Sequence, residues 1–164
     1  MIADPFSIPE MYQNWGANLT VVAATIAAVI AAVLVHYEGL VALSSRLARR
    51  QRQRRRKVVV GIAGILVLHV AEIWIFGVAC WLLMLWPACG HIAGYGPLSL
   101  FDAVYFSAVT FSTVGFGDLA PVGPLRFLIG TESLAGFVLI TWSASFTYLE
   151  MEQFWRRGPG NGHS

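Results

Sequence analysis

Charge is what this chain has least of. Only 12% of its 164 residues are Asp, Glu, Lys or Arg, against 57% hydrophobic residues and a mean hydropathy of +0.65. Water-soluble domains carry about a quarter charged residues, so a domain folded in water is excluded and an integral membrane protein is implied. The charge present is also unevenly spread. Eight of the 11 basic residues lie between Arg46 and Lys57, and the others are Arg126, Arg156 and Arg157. A general cationic surface is missing, so nucleic acid is not an expected partner. One dense basic loop between apolar segments is a topology signal instead.

Cysteine is scarce as well. Cys80 sits in an apolar run and Cys89 in a Pro/Gly-rich loop, without metal-type spacing, and both read as unpaired thiols. Residues 1–16 hold Asp4 and Glu10 but no Lys or Arg, so the positive start of a signal peptide is lacking. No nucleophile with a base, phosphate-binding loop or cofactor fingerprint is found. The expectation is a non-enzyme without an organic cofactor.

Long apolar runs are plentiful. Three are long enough for a bilayer, which takes about 20 apolar residues: Asn18 to Leu47, Val58 to Trp86, and Leu125 to Leu149. Between the second and third, Leu98–Phe111 is apolar and aromatic but too short to span, which suits a re-entrant segment. Ser99 with Asp102 three residues on matches a helix N-cap box. After Phe111, Gly115 and Gly117 favour non-helical backbone. The expected fold is an all-α membrane protein: three transmembrane helices plus a re-entrant helix.

The basic segments at Arg46–Lys57 and Trp155-Arg156-Arg157 predict cytoplasmic placement. Three crossings put the termini on opposite sides, so the two segments agree: N-terminus outside, C-terminus inside. The expected organisation is an extracytoplasmic segment at 1–17, an accessory helix at 18–47, a basic loop at 48–57, a membrane unit at 58–151 and a tail at 152–164. Arg46, Arg49, Arg52 and Arg55 recur every third residue, as in a voltage sensor, but charged and polar residues fill the gaps. A solvated loop near anionic lipid headgroups is the better reading.

A dip of non-helical backbone in hydrocarbon must be buried in protein or line a watery path, because its amides and carbonyls need partners. Alternating glycines let successive carbonyls turn to one axis, and a helix C-terminus aimed inward adds partial negative charge that favours a cation.

The run Phe101-Asp102-Ala103-Val104-Tyr105-Phe106-Ser107-Ala108-Val109-Thr110-Phe111-Ser112-Thr113-Val114-Gly115-Phe116-Gly117-Asp118 resembles the pore helix and signature strand of potassium channels. The likeness extends over roughly Val58–Met151. It implies that carbonyls of Thr113, Val114, Gly115 and Phe116 replace the water shell of K+, with the Thr113 hydroxyl at the innermost site and Gly117 ending the strand. It implies Asp118 behind the strand, bonded to the pore-helix surroundings, with Thr110 and Ser112 as further support. Four strands must meet, so a homotetramer follows. The family's usual Tyr is Phe116 here, and Val109 leaves no pore-helix carboxylate for Asp118.

In the third span, Gly136 resembles the family's hinge glycine, with packing as the equal alternative. Phe137, Ile140, Ala144 and Tyr148 fall at helical spacing and are expected to line the cavity. Glu132, an intramembrane carboxylate, is expected to brace the filter's rear or meet pore-helix hydroxyls.

His36 and Glu38 in the first span and His69 and Glu72 in the second lie at matching depths. They read as a hydrogen-bonded clasp, or as a divalent-metal or pH-sensing cluster. The expected activity is passive, selective K+ conduction across a prokaryotic plasma membrane. The alternatives are a weakly selective cation channel, a transporter subunit, or a membrane metal-binding protein using the four His and Glu residues.

Overall fold

The computed structural model describes residues 12–48, 54–94 and 98–156. The expectations for residues 1–11, for 49–53 of the basic loop and for the tail beyond 156 lie outside the described residues. The order is α1 (Trp15–Ala48), α2 (Arg54–Met84), a one-turn helix at Pro87–Cys89, β1 (His91–Ala93), α3 (Leu100–Phe111), β2 (Ala120–Val122), a second one-turn helix at Gly123–Leu125 and α4 (Arg126–Arg156). Three helices are long and apolar enough to cross a membrane, and α3 is the short apolar one between them. The all-α membrane architecture is therefore what the sequence implied.

α1 buries Ala17, Val21, Thr25, Ala28, Ala32, His36, Leu40, Leu43 and Leu47, each three or four residues from the last. That spacing keeps one face turned inward, and its small residues let backbones approach closely. α1 packs against α2 and α4 of the same chain. The opposite face carries Leu19, Ile26, Ile30, Leu34 and Val41 outward, as hydrocarbon on that side allows. Both basic helix ends extend beyond the apolar stretches: Arg46 lies in the last turn of α1, and α2 begins at Arg54. Arg54 to Lys57 are thus helical rather than part of the expected loop at 48–57.

α3 is wedged among α2 and α4. It starts at the expected cap: the Asp102 amide donates to Ser99 Oγ at 3.3 Å, and the Ser99 amide donates to Asp102 Oδ2 at 2.7 Å. A glycine sets the crossing with α2, since a Cβ on Gly77 would lie 2.8 Å from Val104 Cα. Ser107 Oγ reaches the Ile73 carbonyl of α2 at 2.9 Å.

The sequence reading did not foresee a sheet. β1 and β2 pair antiparallel, with His91 opposite Val122 and Ala93 opposite Ala120. This ladder joins the chain entering α3 to the chain leaving the segment after it. Pro121 is tolerated because a two-stranded sheet has only edge strands. Cys80 and Cys89 are buried free thiols, as expected.

Candidate functional site: the segment after the short helix

α3 ends at Phe111, and Ser112 caps it with its amide directed to the Ala108 carbonyl. The chain then turns back on the helix end. The Thr113 amide donates to the Thr110 carbonyl at 2.9 Å, and the amides of Val114 and Gly115 both donate to the Val109 carbonyl at 3.0 Å. Positive φ angles alternate along the run: Thr113 at 60°, Gly115 at 49° and Gly117 at 79°. Glycine takes these values freely, but for Thr113 the left-handed region costs about 1–2 kcal/mol. Such strain persists where surrounding bonds over-determine it; here the amide bonds to residues 109 and 110 do so.

One side of this segment is bare. Residues 112 to 117 are all exposed in the single chain. Val114 is 57% and Phe116 69% exposed, and a Cβ on Gly115 or Gly117 would meet nothing within 4 Å.

The other side is tied down. The Tyr105 hydroxyl donates to Asp118 Oδ2 at 2.9 Å. Sequence reasoning missed this partner: it looked for a carboxylate at Val109, whereas the donor comes from Tyr105, one helical turn earlier. Ser112 Oγ donates to the Ala108 carbonyl at 2.8 Å, and Thr110 contributes its carbonyl.

Glu132 is fully buried and shares a short hydrogen bond with Ser107 Oγ through Oε1. Its Oε2 has no partner among the described residues. Ser107 was also missed; the available signal was a hydroxyl on an apolar helix opposite an intramembrane acid. Gly136 is buried, and a Cβ there would overlap the Phe111 carbonyl oxygen. α4 therefore crosses the end of α3 at contact distance, which gives Gly136 a packing role. Phe137, Ile140, Ala144 and Tyr148 share an exposed face of α4, while Leu139 and Ser143 point inward.

Of the four His and Glu residues, the fold assembles three. His36 Nδ1 lies 2.7 Å from Glu72 Oε1, and His69 Nδ1 lies 2.9 Å from Glu72 Oε2. Glu38 is exposed and does not join them. Two positions along a helix are about 200° of rotation, so His36 and Glu38 cannot face α2 together. Missed partners complete the surroundings. The Trp142 ring lies 5.3 Å from His36 and the Phe111 ring 5.8 Å from His69. Ser143 Oγ is 3.4 Å from His36 Nε2.

The family model described as "Ion channel" matches residues 58–152, more than half of the chain, running from the first turns of α2 to the last turns of α4. The chain belongs to this ion channel family. Among curated proteins, it is 41% identical over 63 residues to the inward rectifier potassium channel Kirbac3.1 of Paramagnetospirillum magnetotacticum. That segment is 37% of this chain and 21% of the relative. It is 36% identical over 53 residues to Protein LctB of Geobacillus stearothermophilus, covering 32% of this chain and 40% of that protein. The chain thus spans less than half the length of either curated relative. No solved structure matches it. The protein is a multi-pass membrane protein of the ion channel family, and the likeness to a potassium channel lies within that membership.

Proposed function

We propose that this chain is one subunit of a homotetrameric, potassium-selective channel, with residues 58–151 as the pore unit and residues 18–47 as an accessory helix. The observation that carries the reading is the direction of the backbone at residues 113–117. The amides of Val114 and Gly115 turn back onto one carbonyl of the short helix, and left-handed residues alternate at 113, 115 and 117. An amide and the carbonyl of its own peptide unit point opposite ways, so the carbonyls are free to face away from the helix. Carbonyl oxygens lining an axis replace the hydration shell of K+.

A single chain leaves that side uncovered, which hydrocarbon does not tolerate. Four copies around an axis supply the missing surroundings. In this arrangement Thr113, Val114, Gly115 and Phe116 hold K+, Gly117 ends the strand, and Asp118, Thr110, Ser112 and Glu132 support it from behind. Phe137, Ile140, Ala144 and Tyr148 face the cavity, and Gly136 is the site about which the inner helix bends. The basic stretch from Arg46 to Lys57 faces the cytoplasm beside anionic lipid headgroups, which puts the N-terminus outside a prokaryotic plasma membrane.

The test is flux. Purified protein in liposomes should pass K+ in strong preference to Na+ and be blocked by Ba2+, and Gly115→Asp should abolish that preference. Equal K+ and Na+ flux, or an unchanged Gly115→Asp variant, overturns the proposal.

A further inference from the structure

We infer that His36, His69 and Glu72 form a binding site for one divalent transition-metal ion, of the zinc class, between α1 and α2. It lies outside the conducting segment. The three side chains offer two imidazole nitrogens and a carboxylate, all within 4.8 Å of one another. Two imidazoles and one carboxylate are a ligand set suited to zinc with an open fourth position, and imidazole also suits copper, nickel and iron.

The convergence is built by the fold rather than by one flexible loop. His36 comes from α1, and His69 with Glu72 from α2, three residues apart and therefore on one helix face. The two helices are held close beside the cluster: a Cβ on Gly39 of α1 would overlap the Leu68 side chain of α2. His36 and Glu72 are wholly buried, and His69 is 14% exposed, which leaves one edge for entry.

The surroundings match what a ligating histidine needs. With a metal on Nδ1, a neutral imidazole carries its proton on Nε2, and that N–H requires an acceptor. For His36 the acceptor is Ser143 Oγ of α4, at 3.4 Å. Trp142 and Phe111 wall the cluster with rings, the apolar shell that limits water. A divalent ion with Glu72 and hydroxide in the fourth position makes a neutral centre, favourable at membrane depth, where a lone carboxylate is costly.

Zinc–ligand bonds of about 2.0–2.1 Å in a tetrahedron separate neighbouring ligand atoms by about 3.3 Å. The two His–Glu72 separations of 2.7 and 2.9 Å, one on each carboxylate oxygen, open by about half an ångström, and the widest spacing, within 4.8 Å, closes by up to about 1.5 Å to admit the ion. Binding removes each Nδ1 proton, which moves to Nε2 of a neutral imidazole or leaves for solvent where Nε2 already carries one, and the water that becomes hydroxide releases its proton to solvent.

The experiment uses the full chain in detergent, stripped with a chelator and then dialysed against Zn2+ or Co2+. One equivalent of metal per chain is expected, with the ligand-field spectrum of four-coordinate cobalt carrying nitrogen ligands. Glu72→Gln and His69→Gln should each weaken binding by about tenfold or more, and Ser143→Ala should weaken it less. Glu38→Gln should leave it unchanged. Wild-type protein that retains no stoichiometric metal and shows only an aqueous-type cobalt spectrum overturns the inference, and the three residues are then a hydrogen-bonded clasp. Retention of metal by Glu72→Gln and His69→Gln, at the wild-type elution position, overturns it equally.

Discussion

The Tyr105 hydroxyl donates to Asp118 Oδ2 across 2.9 Å, joining the middle of the short helix to the chain just beyond the glycine-bearing segment. The amides of Val114 and Gly115 hold the start of that segment to Val109. The Tyr105–Asp118 bond is the corresponding tie at its far end. Between them, Phe116 is 69% exposed, and a Cβ on Gly115 or Gly117 would meet nothing within 4 Å among the described residues.

Tyr105→Phe removes this tie with little change in shape. A net hydrogen bond contributes about 0.5–1.5 kcal/mol, too little to unfold the protein but enough to loosen the segment. The expected outcome is an assembly of unchanged size with a lower K+ over Na+ flux ratio in liposomes. An unchanged ratio would show that Asp118 is held by other means.

Gly136 and Gly130 make a matched pair. A Cβ on Gly136 would overlap the Phe111 carbonyl, whereas one on Gly130 would meet nothing within 4 Å. Gly136→Ala forces α4 and α3 apart and should cost about 1–3 kcal/mol, as overpacking does. Gly130→Ala should be neutral or stabilising by up to about 1 kcal/mol, since alanine suits a helix interior better. Thermal denaturation in detergent distinguishes them. Equal melting temperatures would leave Gly136 as a bending point without a packing role.

Ser107→Ala takes from Glu132 its hydrogen-bond partner, leaving both carboxyl oxygens unpartnered among the described residues. An unsatisfied buried polar group costs about 1–3 kcal/mol. Replacing the acid too, as Ser107→Ala with Glu132→Leu, should recover part of the loss. Melting curves of the single and double variants read this out; a double variant no better than Ser107→Ala would contradict the pairing.

At the other end of α3, the bonds from Ser99, first through its hydroxyl and then its amide, hold the Asp102 carboxyl below the ordinary carboxylate range. A carboxyl whose folded pKa is depressed stabilises the fold above its unfolded value of about 3.9 and loses that contribution as pH falls through the lower, folded value. Fraying of the α3 start should therefore set in under acid conditions. The protection factor of the Ala103 amide, which bonds to the Ser99 carbonyl, should fall there relative to pH 6 once the intrinsic exchange rate at each pH is divided out. In Asp102→Asn that acid-dependent step should be absent. A step of equal size in the variant would assign it to another group.

Several features were legible in the sequence because they rest on local rules. The three spans follow from apolar length, the cap from Ser99 and Asp102, and the approach of His36 to His69 from equal depth on antiparallel helices. Other features were hidden because they join residues far apart in the chain. β1 and β2 are three residues each, separated by α3, and contain Pro121, so no alternating pattern announces them. The Ser107–Glu132 and Tyr105–Asp118 bonds depend on how α3 is rotated, which composition does not specify. Glu38 went into the His/Glu cluster because depth was counted and helix face was not. The helix ends at Ala48 and Arg54 were drawn too short because hydropathy registers hydrocarbon, whereas backbone hydrogen bonding continues into the charged interface.

The most direct measurement is a density map of the purified assembly in lipid nanodiscs with K+ present. Four chains should meet around an axis with residues 113–117 innermost, and ion density should lie on that axis between the carbonyls of Thr113 to Phe116. A monomer, or an oligomer whose 113–117 segments stand apart with no ion between them, would contradict the account.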